Sequence, residues 1–267
     1  MHTSRSAQAI LIEGPDAATF AHSQFTSQVT ALPLGQWQFS SWLDAQGRVR
    51  NLFHLARLDT ERFLVLLRGG DANEFIEALR RFVFRSRVKL IAREGLKLTT
   101  DAALPAHVVD ATDDNIRFGC GTHTLLLSVD ANHDDAWQLA QLRAGWPWLP
   151  DTTANELLPP SLSLHRLGAL ALDKGCYPGQ EIVARLHYRG GNKRHLHHVK
   201  LSKTVADGAK LNRDGREFMR MLSVIALGDS IEALVVMSDE TANNIAQAAE
   251  NISDDGIAIE ILQSWSD

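Results

Sequence analysis

The sequence predicts an α+β fold on three patterns. Residues 37–67 hold three apolar runs at strand spacing, residues 71–83 carry an amphipathic helix pattern behind a capping signal, and from about residue 195 the chain returns to short strand patterns. The 267 residues suit two or three small units sharing contacts. With 45% hydrophobic and 22% charged residues, the chain has the balance of a soluble globular protein rather than a disordered or fibrous one.

The elements follow in order. Ala9–Glu13 reads as a strand, and Gly14-Pro15-Asp16 turns it into a helix with Asp16 as N-cap and Ala18, Ala21, Phe25 and Val29 on one face. Strands are expected over Trp37–Leu43, Val49–Leu58 and Phe63–Leu67, the first two joined by a hairpin turn at 44–47. Asp71 followed by Glu74 is a capping-box pattern for a helix whose apolar face is Phe75, Ile76, Leu79, Phe82 and Val83. Val88–Ala92 returns as a strand, completing sheet and covering helices in an α+β arrangement.

Residues 102–114 are loop-rich. Asn115–Gly119 and Thr124–Val129 form a hairpin-like pair, Asp134 or Asp135 caps a helix through Arg143, and a proline-bearing crossover occupies about 145–165. Long loops of this kind are more often functional than idle. His195–Leu201, Met221–Leu227, Ala233–Met237 and Gly256–Leu262 are strand candidates of a small C-terminal β domain, with helical composition over Thr241–Glu250. The expected division is 1–194 and 195–267.

A net charge of −5 and a pI of about 6.1 give no global positive field for nucleic acid or membrane. No run approaches the roughly 20 apolar residues of a membrane-spanning helix. The apolar run Ala9–Ile12 is too short for a signal peptide. Two distant cysteines without a CxxC pattern fit reduced thiols in the cytoplasm better than a disulfide framework or zinc site.

The densest chemistry lies in DKGCYPGQEIVAR, residues 173–185. Strand, tight turn and helix start are expected there: Gly168–Asp173 as incoming strand, Pro178 at the first helical position, Gly190-Gly191 as the stop. Cys176 would then sit near a helix N-terminus with Lys174 and Arg185 close in sequence, all favouring the thiolate. The competing reading, which composition alone favours, is a small buried hydrophobe beside a turn. Cys120 reads as structural.

His165, His187, His195, His197 and His198 lie nearby in sequence, so a Cys/His pair for acyl transfer is a third-rank option, although no metal-ligand spacing occurs. Tyr188 to Arg194 (YRGGNKR) combines a glycine pair with cations, either an anion cradle or a solvated linker. Arg80, Arg81, Arg85, Arg87, Lys89 and Arg93 read as a solvated face, with an acidic partner, RNA or anionic ligand as the alternative.

KGCYPGQEIVAR followed by YRGGNKR resembles the signature K-G-C-[FY]-x-G-Q-E and its downstream motif in the YgfZ group of folate-binding proteins, relatives of the glycine-cleavage T-protein, an aminomethyltransferase. Weaker similarity extends the resemblance over most of residues 9–201. It implies a ring of two α+β folate-binding subdomains, a small C-terminal β-barrel, and tetrahydrofolate or a derivative as ligand. It also implies a role in iron-sulfur cluster assembly or repair in client enzymes, tRNA-modifying ones included, with no direct nucleic-acid binding.

On this resemblance Cys176 is the redox or cluster-handling thiol, and Lys174, Gly175, Tyr177, Gly179, Gln180, Glu181, Arg185 and Arg194 shape the cofactor site. Two departures stand out. Ser163 replaces an asparagine of the group, and Asn51 with Leu52 stands where the transferase has paired aspartates, which disfavours the alternative of a folate-dependent one-carbon transferase.

Overall fold

The computed structural model describes residues 6–112, 114–130, 134–247 and 253–265. The expectations for residues 1–5, and for 248–250 at the end of the C-terminal helical stretch, lie outside the described residues. The chain opens with β1 (Ala9–Glu13), α1 (Ala17–Gln24), β2 (Gln36–Leu43), β3 (Val49–Arg57), β4 (Arg62–Leu67), α2 (Ala72–Arg80) and β5 (Lys89–Arg93). These strands form a five-stranded antiparallel sheet ordered β2-β3-β4-β1-β5.

Alternation sorts its side chains. Phe53 and Phe63 join Ile10 and Ile12 beneath α1 and α2, where Phe75 of α2 packs on them, whereas Leu52, Leu64 and Leu66 face the opposite way with Trp37 and Phe39. Full burial of such a side chain contributes about 1.5–3 kcal/mol. A one-residue slip would turn the whole set over, so burial fixes the register.

β6 (Lys97–Asp101), β7 (Val109–Ala111), β8 (Asn115–Gly119) and β9 (Thr124–Ser128) form a four-stranded sheet ordered β6-β9-β8-β7, followed by α3 (Ala136–Arg143). Phe118, Leu125 and Leu127 of this sheet share one buried cluster with Trp37 and Leu64 of the first. After α4 (Gln180–Arg189) come β10 (Arg194–Leu201), β11 (Lys210–Arg213), β12 (Arg216–Leu227), β13 (Ser230–Ser238), α5 (Asp239–Gln247) and β14 (Ile259–Trp265). Their strands form a five-stranded sheet ordered β11-β12-β13-β10-β14. One face of it builds its own core from Val199, Met219, Met221, Val235 and Met237, while Leu196, Leu234 and Val236 join the central cluster.

Several expectations are corrected. Asp16 precedes α1 but makes no capping bond; its carboxylate accepts instead from the backbone N–H of Arg87 at 2.7 Å and from that guanidinium. α1 ends at Gln24, so Phe25 and Val29 are buried from extended chain beyond it. Asp71 does cap α2, accepting from the N–H groups of Asn73 and Glu74. α2 stops at Arg80, leaving Phe82 45% exposed rather than on a buried helical face.

Residues 168–173 are not a strand. Ala171 N–H donates to Thr26 O at 2.8 Å and the Thr26 hydroxyl donates to Ala169 O at 2.6 Å, which lays the segment along the loop after α1 instead of in a sheet. Pro178 is not the first helical residue, because Gly179, in the left-handed region at φ 78°, stands between it and Gln180.

Candidate functional site

The segment ahead of α4 is held by three anchors. Lys174 Nζ donates to Phe25 O at 2.6 Å and Ser27 O at 2.8 Å, with the ammonium 5.2 Å from the centroid of the Tyr177 ring. Burial pulls the Lys174 pKa down from 10.5 to about 8. Tyr177 is 5% exposed, and burial pushes its phenol up to about 12.

Gly179 is the third anchor. A Cβ there would stand 2.6 Å from Asp44 O and 2.8 Å from Gly47 Cα, so only glycine permits the two backbones to touch. Gly47 reciprocates, since its own Cβ would meet Ile182 of α4 at 2.9 Å. The turn receiving it is rigid: Asp44 Oδ1 accepts from the N–H groups of Gln46 and Arg48. Gln180 Nε2 donates weakly to Lys174 O at 3.4 Å and closes the segment on itself.

Between these anchors Gly175 and Cys176 are exposed, as are Glu181 and Arg185 in the first and second turns of α4. The predicted site residues therefore divide. Lys174, Tyr177, Gly179 and Gln180 act as clamp, Gly175, Cys176, Glu181 and Arg185 face solvent, and Arg194 is tied elsewhere. Arg194 Nη2 donates to Glu217 Oε1 at 3.2 Å and toward Val236 O at 3.4 Å, which draws it away from an anion cradle at the glycine pair.

The histidines are likewise engaged away from the thiol. His195 Nδ1 lies 2.7 Å from Asp239 Oδ1, His197 Nδ1 2.8 Å from Ser264 Oγ and His198 Nε2 2.8 Å from Glu232 Oε2, while His165 and His187 stack at 5.1 Å. No hydrogen bond among the described residues joins Cys176 to a histidine. Cys120 is buried, and its thiol is pushed up to about 12 by burial, as befits a structural cysteine. Ser163 has a structural role: in the left-handed region at φ 47°, it is fully buried and its hydroxyl donates to Trp265 O at 2.7 Å.

A cavity of about 410 Å³ opens where the chain after β4 meets the crossover. Gly69 makes the meeting possible: a Cβ there would stand 1.9 Å from Leu149 O. Asn51, Arg50, Asp71 and Glu74 give the cavity polar walls and Phe75 with Leu149 an apolar one. Asn51, unlike Leu52, lines this cavity.

Sequence reading missed a second buried polar centre. Arg68, fully buried, donates from Nε to Pro147 O and from Nη2 to Trp146 O, both at 2.8 Å, and its Nη1 lies 3.1 Å from His54 Nε2. Its guanidinium sits over Trp148 and Phe39 at 4.5 and 5.3 Å. Burial and Arg68 hold His54 well below its ordinary pKa, so it is neutral and accepts from the arginine. The only sequence signal was an arginine closing an apolar run just before Gly69-Gly70.

No family model matches the chain. An uncharacterised protein of Haemophilus influenzae is 30% identical over 199 residues, covering 70% of this chain and 68% of that protein. The tRNA-modifying protein YgfZ of Cronobacter sakazakii is 26% identical, covering 69% and 66%, so the match spans about two thirds of these relatives' length. That of Photorhabdus laumondii is 26% identical over 85% of this chain and 80% of its own.

Among solved structures, the glycine cleavage system aminomethyltransferase T of Bartonella henselae matches 98% of this chain and 83% of its own, with a TM-score of 0.67 at 16% identity. That likeness establishes the fold. With the relatives and the architecture together, the chain belongs to the YgfZ family and has an aminomethyltransferase-like fold.

Proposed function

We propose that this chain is a cytoplasmic, tetrahydrofolate-binding accessory protein that supports iron-sulfur cluster assembly or repair in client enzymes, tRNA-modifying ones included. The observation that carries the reading is the presentation of Cys176: an exposed thiol on a segment locked by Lys174, Tyr177 and Gly179. A buried hydrophobe, the competing reading, would not be held out to solvent. A single thiol supplies one ligand where a cluster takes four. Cys176 therefore acts within a complex, alongside thiols of a partner.

The cavity beside Asn51 fits a folate in size, about 410 Å³, and in chemistry. None of Lys174, Gly175, Tyr177, Gly179, Gln180, Glu181, Arg185 and Arg194, the residues expected to shape the cofactor site, lines it. Arg50 would receive a carboxylate, Asn51 and Glu74 the hydrogen-bonding edge of the pterin, and Phe75 with Leu149 its apolar surface. When bound, tetrahydrofolate supplies a reduced pterin able to carry one-carbon units. The two-subdomain ring of residues 1–194 and a C-terminal barrel of residues 195–267 belong to the same proposal.

Among alternatives, a one-carbon transferase has the fold in its favour, but Asn51 and Leu52 supply no carboxylate to act on the transferred carbon. The test is complementation. In cells lacking the protein, iron-sulfur enzyme activity should fall, and should return with the wild-type chain but not with Cys176→Ala at equal abundance. Full rescue by Cys176→Ala would remove the thiol from the account.

A further inference from the structure

Residues 80–93 hold six of the chain's 27 Lys and Arg residues and no Asp or Glu, in a protein of net charge −5. Arg80 pairs with Glu77 and Arg87 with Asp16, but among the described residues no carboxylate pairs with Arg81, Arg85 or Lys89. The same stretch exposes Phe82, Phe84 and Ile91 by 45%, 85% and 40%, three of the seven large apolar side chains exposed among the described residues. Cations at a helix C-terminus and lysine on an edge strand are ordinary. Neither accounts for a phenyl ring left 85% in water.

The stretch leads into β5, which ends the first sheet. One edge of β5 bonds to β1, and its outer edge has no strand neighbour among the described residues. Lys89, Ile91 and Arg93 alternate onto the face that Leu11 occupies on β1, where Leu11 stands opposite Ile91, with successive members about 7 Å apart.

We propose that the outer edge of β5 docks an extended acidic segment of a partner protein, added to the sheet as a further strand. The alternation of Lys89 and Ile91 along that face calls for acid and apolar side chains at every second residue of the incoming strand. A nucleic acid would use the arginines and the phenyl rings, but it could not pair with the open main-chain edge or match the two-residue period. Arg81, Arg85 and Phe84 extend the docking surface past the start of the strand.

The surface is tied to the Cys176 segment through α1. That helix, about 12 Å long, runs from Asp16, which holds Arg87, to the chain whose carbonyls at Phe25 and Ser27 receive Lys174. Naming the docked partner as an iron-sulfur client rests on the proposed function. The docking itself rests on neither folate nor the thiol, so its failure would leave folate binding intact.

The test uses the full chain and three fluorescent probes: a peptide of alternating Glu and Val, its Lys/Val counterpart, and an oligouridylate of matched charge. The Glu/Val peptide should bind, slow amide exchange along residues 89–93, and weaken about tenfold or more in the combined charge reversal Arg81→Glu, Arg85→Glu and Lys89→Glu. Because all three side chains are exposed, that variant should keep the wild-type circular dichroism. Absence of Glu/Val binding, equal affinity for the Lys/Val peptide, tighter binding of the oligouridylate, or unchanged exchange at β5 would each overturn the proposal.

Discussion

Lys174 is a charged side chain recruited as a fastener. Unfolded, it titrates near about 10.4, and in the fold at about 8 because burial disfavours the ammonium. Between those values the unfolded chain binds the additional proton, so this residue makes stability rise with pH from about 8 to about 10.4. Below 8 both states are charged, and the burial penalty is carried in full.

Wild type should therefore gain stability over Lys174→Met as the pH rises through that window, measured by urea unfolding at the two ends. The two cysteines should differ as sharply. Cys176 should alkylate in the native protein, whereas Cys120, buried and with its thiol pushed up to about 12, should react only on unfolding, as peptide mapping after mild iodoacetamide treatment would reveal.

Among the elements, the contact of the β2–β3 turn with the start of α4 is the most exacting. Gly179→Ala places a methyl group 2.6 Å from Asp44 O in a left-handed conformation, and should destabilise the protein by more than about 1–2 kcal/mol in denaturant titration. It should also loosen the Cys176 segment, seen as faster alkylation.

The glycines here were legible as turn signals, but their purpose was not. A sequence announces local backbone freedom, whereas the close approach of Gly179 and Gly47 joins segments more than a hundred residues apart. Strong alternation in β2, β3 and β4 and the Asp71 cap were readable because local pattern and burial agree. Residues 168–173 had an apolar pattern fit for a strand, yet the bonds to Thr26 claimed them. β6, β7 and β11 went unread because short strands of mixed polarity carry little periodic signal. Likewise, nothing in the order of residues distinguished Lys174 as a fastener from Cys176 as the exposed group.

At the scale of the whole molecule, the third sheet is latched to the rest by partly buried polar contacts. Arg143 of α3 donates to both Glu232 oxygens, His198 adds a bond to the same carboxylate, and Arg220 reaches Glu156 of the crossover. The Arg143 hydrogen bond holds Glu232 below the usual carboxylate range, so its contribution is present above that range and is lost as acid protonates it.

His197 acts in the same direction. Burial lowers it to about 4, so as pH falls from about 6.5 toward 4 the unfolded chain takes up a proton first and stability drops. Amide protection in the third sheet should thus fall as the pH drops from about 6.5 toward 4, measured by hydrogen exchange. Glu232→Gln should weaken it at neutral pH by about 1 kcal/mol, a modest amount because Arg143 is half exposed.

The proposed folate cavity and the exposed thiol share one scaffold, and the most direct test of that pairing is anaerobic titration calorimetry with tetrahydrofolate. Saturable binding at one site per chain is expected, unchanged by Cys176→Ser and weakened by Arg50→Glu at the cavity wall. The absence of binding heat at millimolar tetrahydrofolate, or equal affinity in the Arg50→Glu protein, would contradict the account.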